Sequence, residues 1–186
     1  MFCIEMDVQS DMLELEFLRN LQEFPAMRLF WEFVTHLGDA GLVWIAIAFF
    51  LVCFSCSRKA GCAVGTALFA GFLVCNATLK PIVDRLRPCD LFPADLVYAC
   101  PLDASFPSGH TTASFAAALA LAAFYPRAGF GALLLAVLIA WSRLFLFVHW
   151  PTDVAAGMLI GALCAAYGIW LAKRAFSPLN LAERWR

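Results

Sequence analysis

Only three histidines occur among 186 residues, and two of them stand in clusters of charged and small residues. His110 closes Pro107-Ser108-Gly109-His110, and His149 lies within Ser142-Arg143-x5-His149-x3-Asp153. A third cluster, Lys80-x6-Arg87-Pro88, precedes both. Arginine forks match the oxygens of a phosphoryl group, and lysine adds a point charge. Asp153 is close enough in sequence to His149 to accept from one ring nitrogen, which fixes the tautomer and leaves the other nitrogen free to attack. Ser108 can cap a helix or donate to an anion, and Gly109 lets a backbone approach closely. Pro151 suits the first position of a helix, and a helix start directs N–H groups toward an anion. The chemistry that fits is binding of an anionic group followed by nucleophilic attack on it.

Each cluster also has a plainer reading. Lys80 could snorkel from a helix end to the membrane surface, and His149 with Asp153 could be an interfacial histidine beside an N-capping aspartate. Arg143 fits such readings poorly. It stands about six positions from a helix end, on the order of 9 Å along the axis. An arginine at that depth in lipid costs several kcal/mol unless paired, which marks a functional site.

The elements that must position these groups are apolar. The chain is 63% hydrophobic and 15% charged, where a soluble domain carries roughly 25% charged residues. A spanning helix needs about 20 mostly apolar residues, and segments 41–56, 62–79, 111–125, 129–148 and 154–171 meet or approach this. Segment 11–36 differs, with Leu13, Phe17, Leu21 and Phe24 recurring at helical spacing among charged residues. It suits an amphipathic helix lying in the interface, or a first span that begins near Phe24. The expected fold is all-α: a polytopic membrane helix bundle of five to six transmembrane helices with an amphipathic N-terminal helix. Its expected parts are an interfacial segment 1–38, a membrane-embedded domain 39–176 and a basic tail 177–186.

Charge sets the expected orientation. Arg58, Lys59, Arg127 and the tail residues Lys173, Arg174, Arg184 and Arg186 should share the cytoplasmic side. Alternating spans then carry the connection 80–109 and the turn at His149 to the outer side, so all three clusters meet on one face. The first residues are acidic and lack a basic region followed by an apolar run, so no cleavable signal is expected. No basic stripe supports nucleic-acid binding. A transporter would place charges near the midplane and show an internal repeat; here the charges gather at one face and no repeat is visible. Cys53-x2-Cys56 lacks the second half of a zinc site. Cys89 and Cys100 could join in a disulfide if their loop faces an oxidising compartment.

The three clusters together resemble the signature of the type-2 phosphatidic acid phosphatase superfamily, K-x6-RP, PSGH and SR-x5-H-x3-D, which is matched in full over Lys80–Pro88, Pro107–His110 and Ser142–Asp153. The resemblance implies catalytic roles for His149, His110 and Asp153. His149 would attack phosphorus to form a phosphohistidine, Asp153 would orient it, and His110 would protonate the leaving oxygen and later assist water. Lys80, Arg87, Ser108, Gly109 and Arg143 would bind the phosphoryl oxygens. No metal and no cofactor are implied, in keeping with the lack of a dense carboxylate cluster.

Soluble acid phosphatases and haloperoxidases share the signature but are far less apolar. The resemblance therefore points to a lipid phosphate or lipid diphosphate phosphatase in the cell membrane with an extracytoplasmic site, its partners being the substrate and membrane lipids. Undecaprenyl diphosphate is the favoured substrate; phosphatidylglycerophosphate, phosphatidic acid or lipid A phosphatase activity, or lipid phosphotransfer, are the alternatives. A diphosphate needs further cationic contact, which Arg85 could supply unless it pairs with Asp84.

Overall fold

The computed structural model describes residues 24–91 and 98–177, which are helical with no strand among them. Residues 1–23 and 178–186 lie outside the described residues, and with them most of the expected interfacial segment and basic tail. Helix α1 (Pro25–His36) is followed by a 3-10 turn (Asp39–Gly41) and α2 (Leu42–Cys53). Helix α3 (Arg58–Gly71) widens into a π-type segment (Phe72–Leu79) and ends as the short α4 (Lys80–Val83). The one-turn α5 (Pro88–Leu91) precedes α6 (Gly109–Ala122), α7 (Pro126–Phe145) and α8 (Pro151–Ala175).

Local chemistry sets the starts. Proline opens α1, α7 and α8, where its fixed φ is pre-organised and its missing N–H is no loss. Ser108 caps α6 by accepting from the Thr111 N–H. Between α1 and α2 the helix is interrupted, with Ala40 at φ 48° and Gly41 at φ 67°. At 1.5 Å per residue, the twelve residues of α1 cover about 18 Å, short of the roughly 30 Å hydrocarbon core. The two helices reach spanning length only together.

Among the described residues, four segments are long and apolar enough to cross a membrane: Pro25–Cys53, Arg58–Leu91, Pro126–Phe145 and Pro151–Ala175. Phe49, Phe130, Leu159 and Trp170 point outward from them, as lipid-facing side chains do. The chain is a multi-pass membrane protein. Helix α6 differs from the expected segment 111–125: it starts two residues earlier and stops at Ala122. It sits at the centre, packed against α3, α7 and α8.

In lipid, helices associate by close van der Waals fit between small residues, and α6 is built for this, with Ala116, Ala117, Ala118 and Ala120 all buried. A Cβ on Gly129 would lie 2.2 Å from the Ala122 Cα, and one on Gly168 would lie 2.4 Å from the Ala63 carbonyl oxygen. No side chain fits at either contact. Gly129→Leu should therefore destabilise the bundle by about 1–3 kcal/mol through overpacking. The check is a lower melting temperature in detergent, and an unchanged one would mean that α6 and α7 do not pack so closely.

Candidate active site

The signature residues arrive at one end of the bundle from three directions. Helix α3 and its π-type continuation deliver Lys80, which is buried. The chain turns at Asp84, at φ 45°, and carries Arg87 inward until it is 1% exposed. Arg87 spends its guanidinium on the site itself. Its Nε donates to the Asp103 carbonyl at 2.8 Å, its Nη1 to the Val148 carbonyl at 2.6 Å, and its Nη2 to Asp103 Oδ1 at 2.7 Å. Nη1 also lies 3.1 Å from His149 Nε2.

That last contact assigns the tautomer of His149. A guanidinium can only donate, so Nε2 presents its lone pair and the ring proton sits on Nδ1. Nδ1 faces Asp153 Oδ2 at 3.5 Å and Ser105 Oγ at 3.4 Å. Burial pushes the His149 imidazolium down to about 3, against the opposing pull of Asp153, and Arg143 and Arg87 add to the effect. The ring is therefore neutral under ordinary conditions, with the Nε2 lone pair unprotonated.

Asp153 is held from all sides. It accepts from the Trp150 N–H at 3.0 Å, from the Ser105 hydroxyl, and from Arg85 Nη1 at 2.8 Å. Arg85, expected to meet a second phosphate or Asp84, thus pairs with Asp153; it also donates to Thr152 Oγ1 at 2.6 Å and lies over the Trp150 ring.

Arg143 occupies the last turn of α7 and is 2% exposed. Its Nη1 donates to the Thr35 hydroxyl, while its Nε is buried without a hydrogen-bond partner. Orphaned buried donors are uncommon and costly, and a phosphoryl oxygen would satisfy this one. Ser108 lies behind the site. Its Oγ accepts from Thr111 Oγ1 at 2.9 Å, and its N–H donates to the Asp153 carbonyl at 3.1 Å, tying the start of α6 to the start of α8.

His110, Gly109 and Lys80 line a cavity of about 570 Å³ between the 3-10 turn, α2, α3 and α6, with Phe69 and Phe72 on its apolar side. Asp103 closes its polar end. The Asp103 carboxylate bonds to both Lys80 and Arg87, two groups expected to hold phosphoryl oxygens. Burial raises its proton affinity, but Lys80 and Arg87 outweigh this and hold the carboxyl at about 2. A disulfide joins Cys89 to Cys100 within the same connection.

The structure links Lys80, Asp103, Arg87, His149, Asp153 and Arg85 in one continuous chain of contacts, with His110 and Gly109 on the adjoining cavity wall. Sequence reasoning places Asp103 with Asp90 and Asp95 only in a loop that shapes head-group access, and it misses Ser105 and Thr35. A serine or aspartate in a polar connection carries no periodicity or motif to single it out.

The chain is similar to several known proteins. The family described as the PAP2 superfamily matches residues 59–177. An undecaprenyl-diphosphatase of Sulfolobus acidocaldarius is 31% identical over 155 residues, covering 81% of this chain and 73% of the relative. A lipid A 4'-phosphatase of Bacteroides thetaiotaomicron is 30% identical over 157 residues, covering 76% of this chain and 68% of the relative. Among solved structures, LpxE from Aquifex aeolicus superposes with a TM-score of 0.71 at 28% identity, covering 84% of this chain and 94% of that one.

Proposed function

The chain belongs to the PAP2 superfamily of membrane lipid phosphatases, and from that premise we propose that it converts undecaprenyl diphosphate to undecaprenyl phosphate through a phosphohistidine. The observation that carries this reading is the state of His149: neutral, with its proton on Nδ1 toward Asp153 and its Nε2 lone pair beside Arg87. In the first step Nε2 attacks the terminal phosphorus and the bond to the bridging oxygen breaks. The electron pair leaves on that oxygen, which takes a proton from His110. In the second step water gives a proton to His110 and attacks phosphorus. The P–N bond breaks and its electrons return to Nε2. Arg87, Arg143 and Lys80 stabilise the charge on the equatorial oxygens, with the Gly109 backbone and Ser108 shaping the pocket beneath them. The phosphoryl group displaces the Asp103 carboxylate, which bonds to Lys80 and Arg87.

The apolar cavity leading to Lys80 and His110 suits a lipid chain. A diphosphate is supported by the 31% identical undecaprenyl-diphosphatase; its added charge would fall to Lys80, because Arg85 is engaged with Asp153. The site faces the extracytoplasmic side of the cell membrane. Arg58, Lys59, Arg127, Lys173 and Arg174 lie at the opposite helix ends, in keeping with the positive-inside rule. The Cys89–Cys100 disulfide lies on the site side, and disulfides persist in oxidising compartments.

The test is inorganic phosphate release by purified protein in detergent with EDTA present. Undecaprenyl diphosphate is expected to turn over faster than phosphatidylglycerophosphate, phosphatidic acid or lipid A. Preference for lipid A or a glycerophospholipid would overturn the substrate and keep the chemistry. Turnover abolished by EDTA would overturn metal-independent hydrolysis.

A further inference from the structure

His110 does not stand alone. Its Nε2 lies 3.0 Å from Asp39 Oδ1, a residue 71 positions earlier in the turn between α1 and α2. The second oxygen of the same carboxylate lies 2.7 Å from His36 Nδ1. Nothing in the three clusters anticipates this pair.

The turn is shaped to bring that carboxylate in. Ala40 and Gly41 both take positive φ, which kinks the chain directly after Asp39. A Cβ on Gly38 would lie 2.8 Å from His110 Cδ2 and 2.9 Å from Ile139 Cγ2. Backbone therefore lies against the imidazole where a side chain would push it away. Across the site Asp153 holds His149 through Nδ1, so each histidine has its own carboxylate, on opposite ring nitrogens.

We infer that Asp39 is the positioning residue of the general acid: it holds His110 by Nε2, directs the other ring nitrogen to the leaving oxygen, and stabilises the ring while it carries a positive charge. Among the described residues Nδ1 of His110 has no hydrogen-bond partner, and the ring lines the cavity where the leaving group must lie. When His110 gives its proton to the leaving oxygen, the Asp39 contact keeps the remaining proton on Nε2. When water later returns a proton to Nδ1, the carboxylate balances the new charge. His36 steadies Asp39 from its other oxygen and takes no part in the transfer. The inference rests on the assignment of His110 as general acid.

A general acid matters in proportion to how poor the leaving group is. Departure of an alkoxide from a phosphatidic acid needs the proton, whereas departure of p-nitrophenolate hardly does. The experiment is kcat/KM for short-chain phosphatidic acid and for p-nitrophenyl phosphate, measured on wild type, Asp39→Asn and Asp39→Glu. Because kcat/KM ends at the first irreversible step, it reports phosphorylation of His149 and not release. Asp39→Asn should lower the value for phosphatidic acid by about 10²-fold, within the usual range for acid catalysis, and that for p-nitrophenyl phosphate by less than about threefold. Asp39→Glu should recover part of the loss. An equal loss on both substrates, or none on either, overturns the positioning role while leaving the phosphatase reading intact. Wild-type protein that cleaves neither of these, nor undecaprenyl diphosphate, overturns both. Asp39 is about half exposed, and asparagine fits the same turn; a melting temperature in detergent checks the fold, and Asp39→Ser serves as a second variant of the same prediction.

Discussion

His149→Ala is expected to abolish lipid phosphate hydrolysis, with kcat lowered by about 10⁴-fold or more, in a protein that melts as wild type does. The size of the effect follows from the absence of a substitute. In the proposed mechanism Nε2 is the atom that bonds to phosphorus, and removing a nucleophile from a concerted set leaves only binding and electrostatic stabilisation. His149 is 1% exposed and its ring is fixed from both nitrogens, so water admitted into the gap would lack both the orientation and the basicity. The same substitution should erase a covalent intermediate. With a radiolabelled phosphate ester and an alkaline quench, wild type should retain label that acid then releases, as a phosphoramidate does, and His149→Ala should retain none. Label retained in the variant, or turnover close to wild type, would place the nucleophile elsewhere. Asp153→Asn tests the support for this step, because an amide facing Nδ1 can turn its own N–H to the ring and favour the wrong tautomer.

The parts of this site that were readable in the sequence are those whose information is local. Lys80 and Arg87, Ser108 and His110, and Arg143, His149 and Asp153 each fall within a dozen residues of their own cluster, and each cluster sits beside a helix end marked by proline, serine or glycine. Apolar runs then gave the helices, and alternation of their direction brought the clusters to one face. What stayed hidden depends on partners far apart in the chain. Lys80 meets Asp103 across 23 positions, Ser105 meets Asp153 across 48, His110 meets Asp39 across 71, and Arg143 meets Thr35 across 108. The sequence left Arg85 between a substrate role and Asp84. Its contact with Asp153, 68 positions away, offers no trace to a local reading.

The shape of the bundle shows the same division. Segment 111–125 reads as a span like the others, yet α6 has only 14 residues against 20 in α7 and 25 in α8 and is the most enclosed, because its alanines let α3, α7 and α8 close around it. The interruption at Asp39–Gly41 lies inside an apolar stretch that hydropathy passes over. Thr35, His36 and Asp39 belong to a region expected to be peripheral or only the edge of the enzymatic domain, but two of them touch Arg143 and His110. Helix α1 therefore ends beside the site.

Arg143→Lys should lower kcat/KM by about 10²- to 10³-fold, the range expected when one oriented donor to a developing oxyanion is lost. Charge is not what the substitution removes. Lysine keeps the positive charge but has neither the rigid fork nor an equivalent of Nε. In the structure Nη1 is anchored on the Thr35 hydroxyl and Nε is left buried and unpaired, so the guanidinium is held in one orientation with a donor that a phosphoryl oxygen would satisfy. Two consequences separate this from a general loss of stability. Without ligand, Arg143→Lys loses both the orphaned Nε donor and the Nη1 bond to Thr35, so its melting temperature should change little beside the loss of activity. With saturating inorganic phosphate, wild type should gain thermal stability by mass action, and the variant should gain much less. A variant that binds phosphate as well as wild type and loses only kcat would confine Arg143 to the transition state. A variant that turns over normally would return Arg143 to the role of a structural anchor for Thr35. Thr35→Val distinguishes these cases from the other side: it frees Nη1 while leaving the fork in place, so a site that depends on aim should lose activity, and a site that depends only on charge should not.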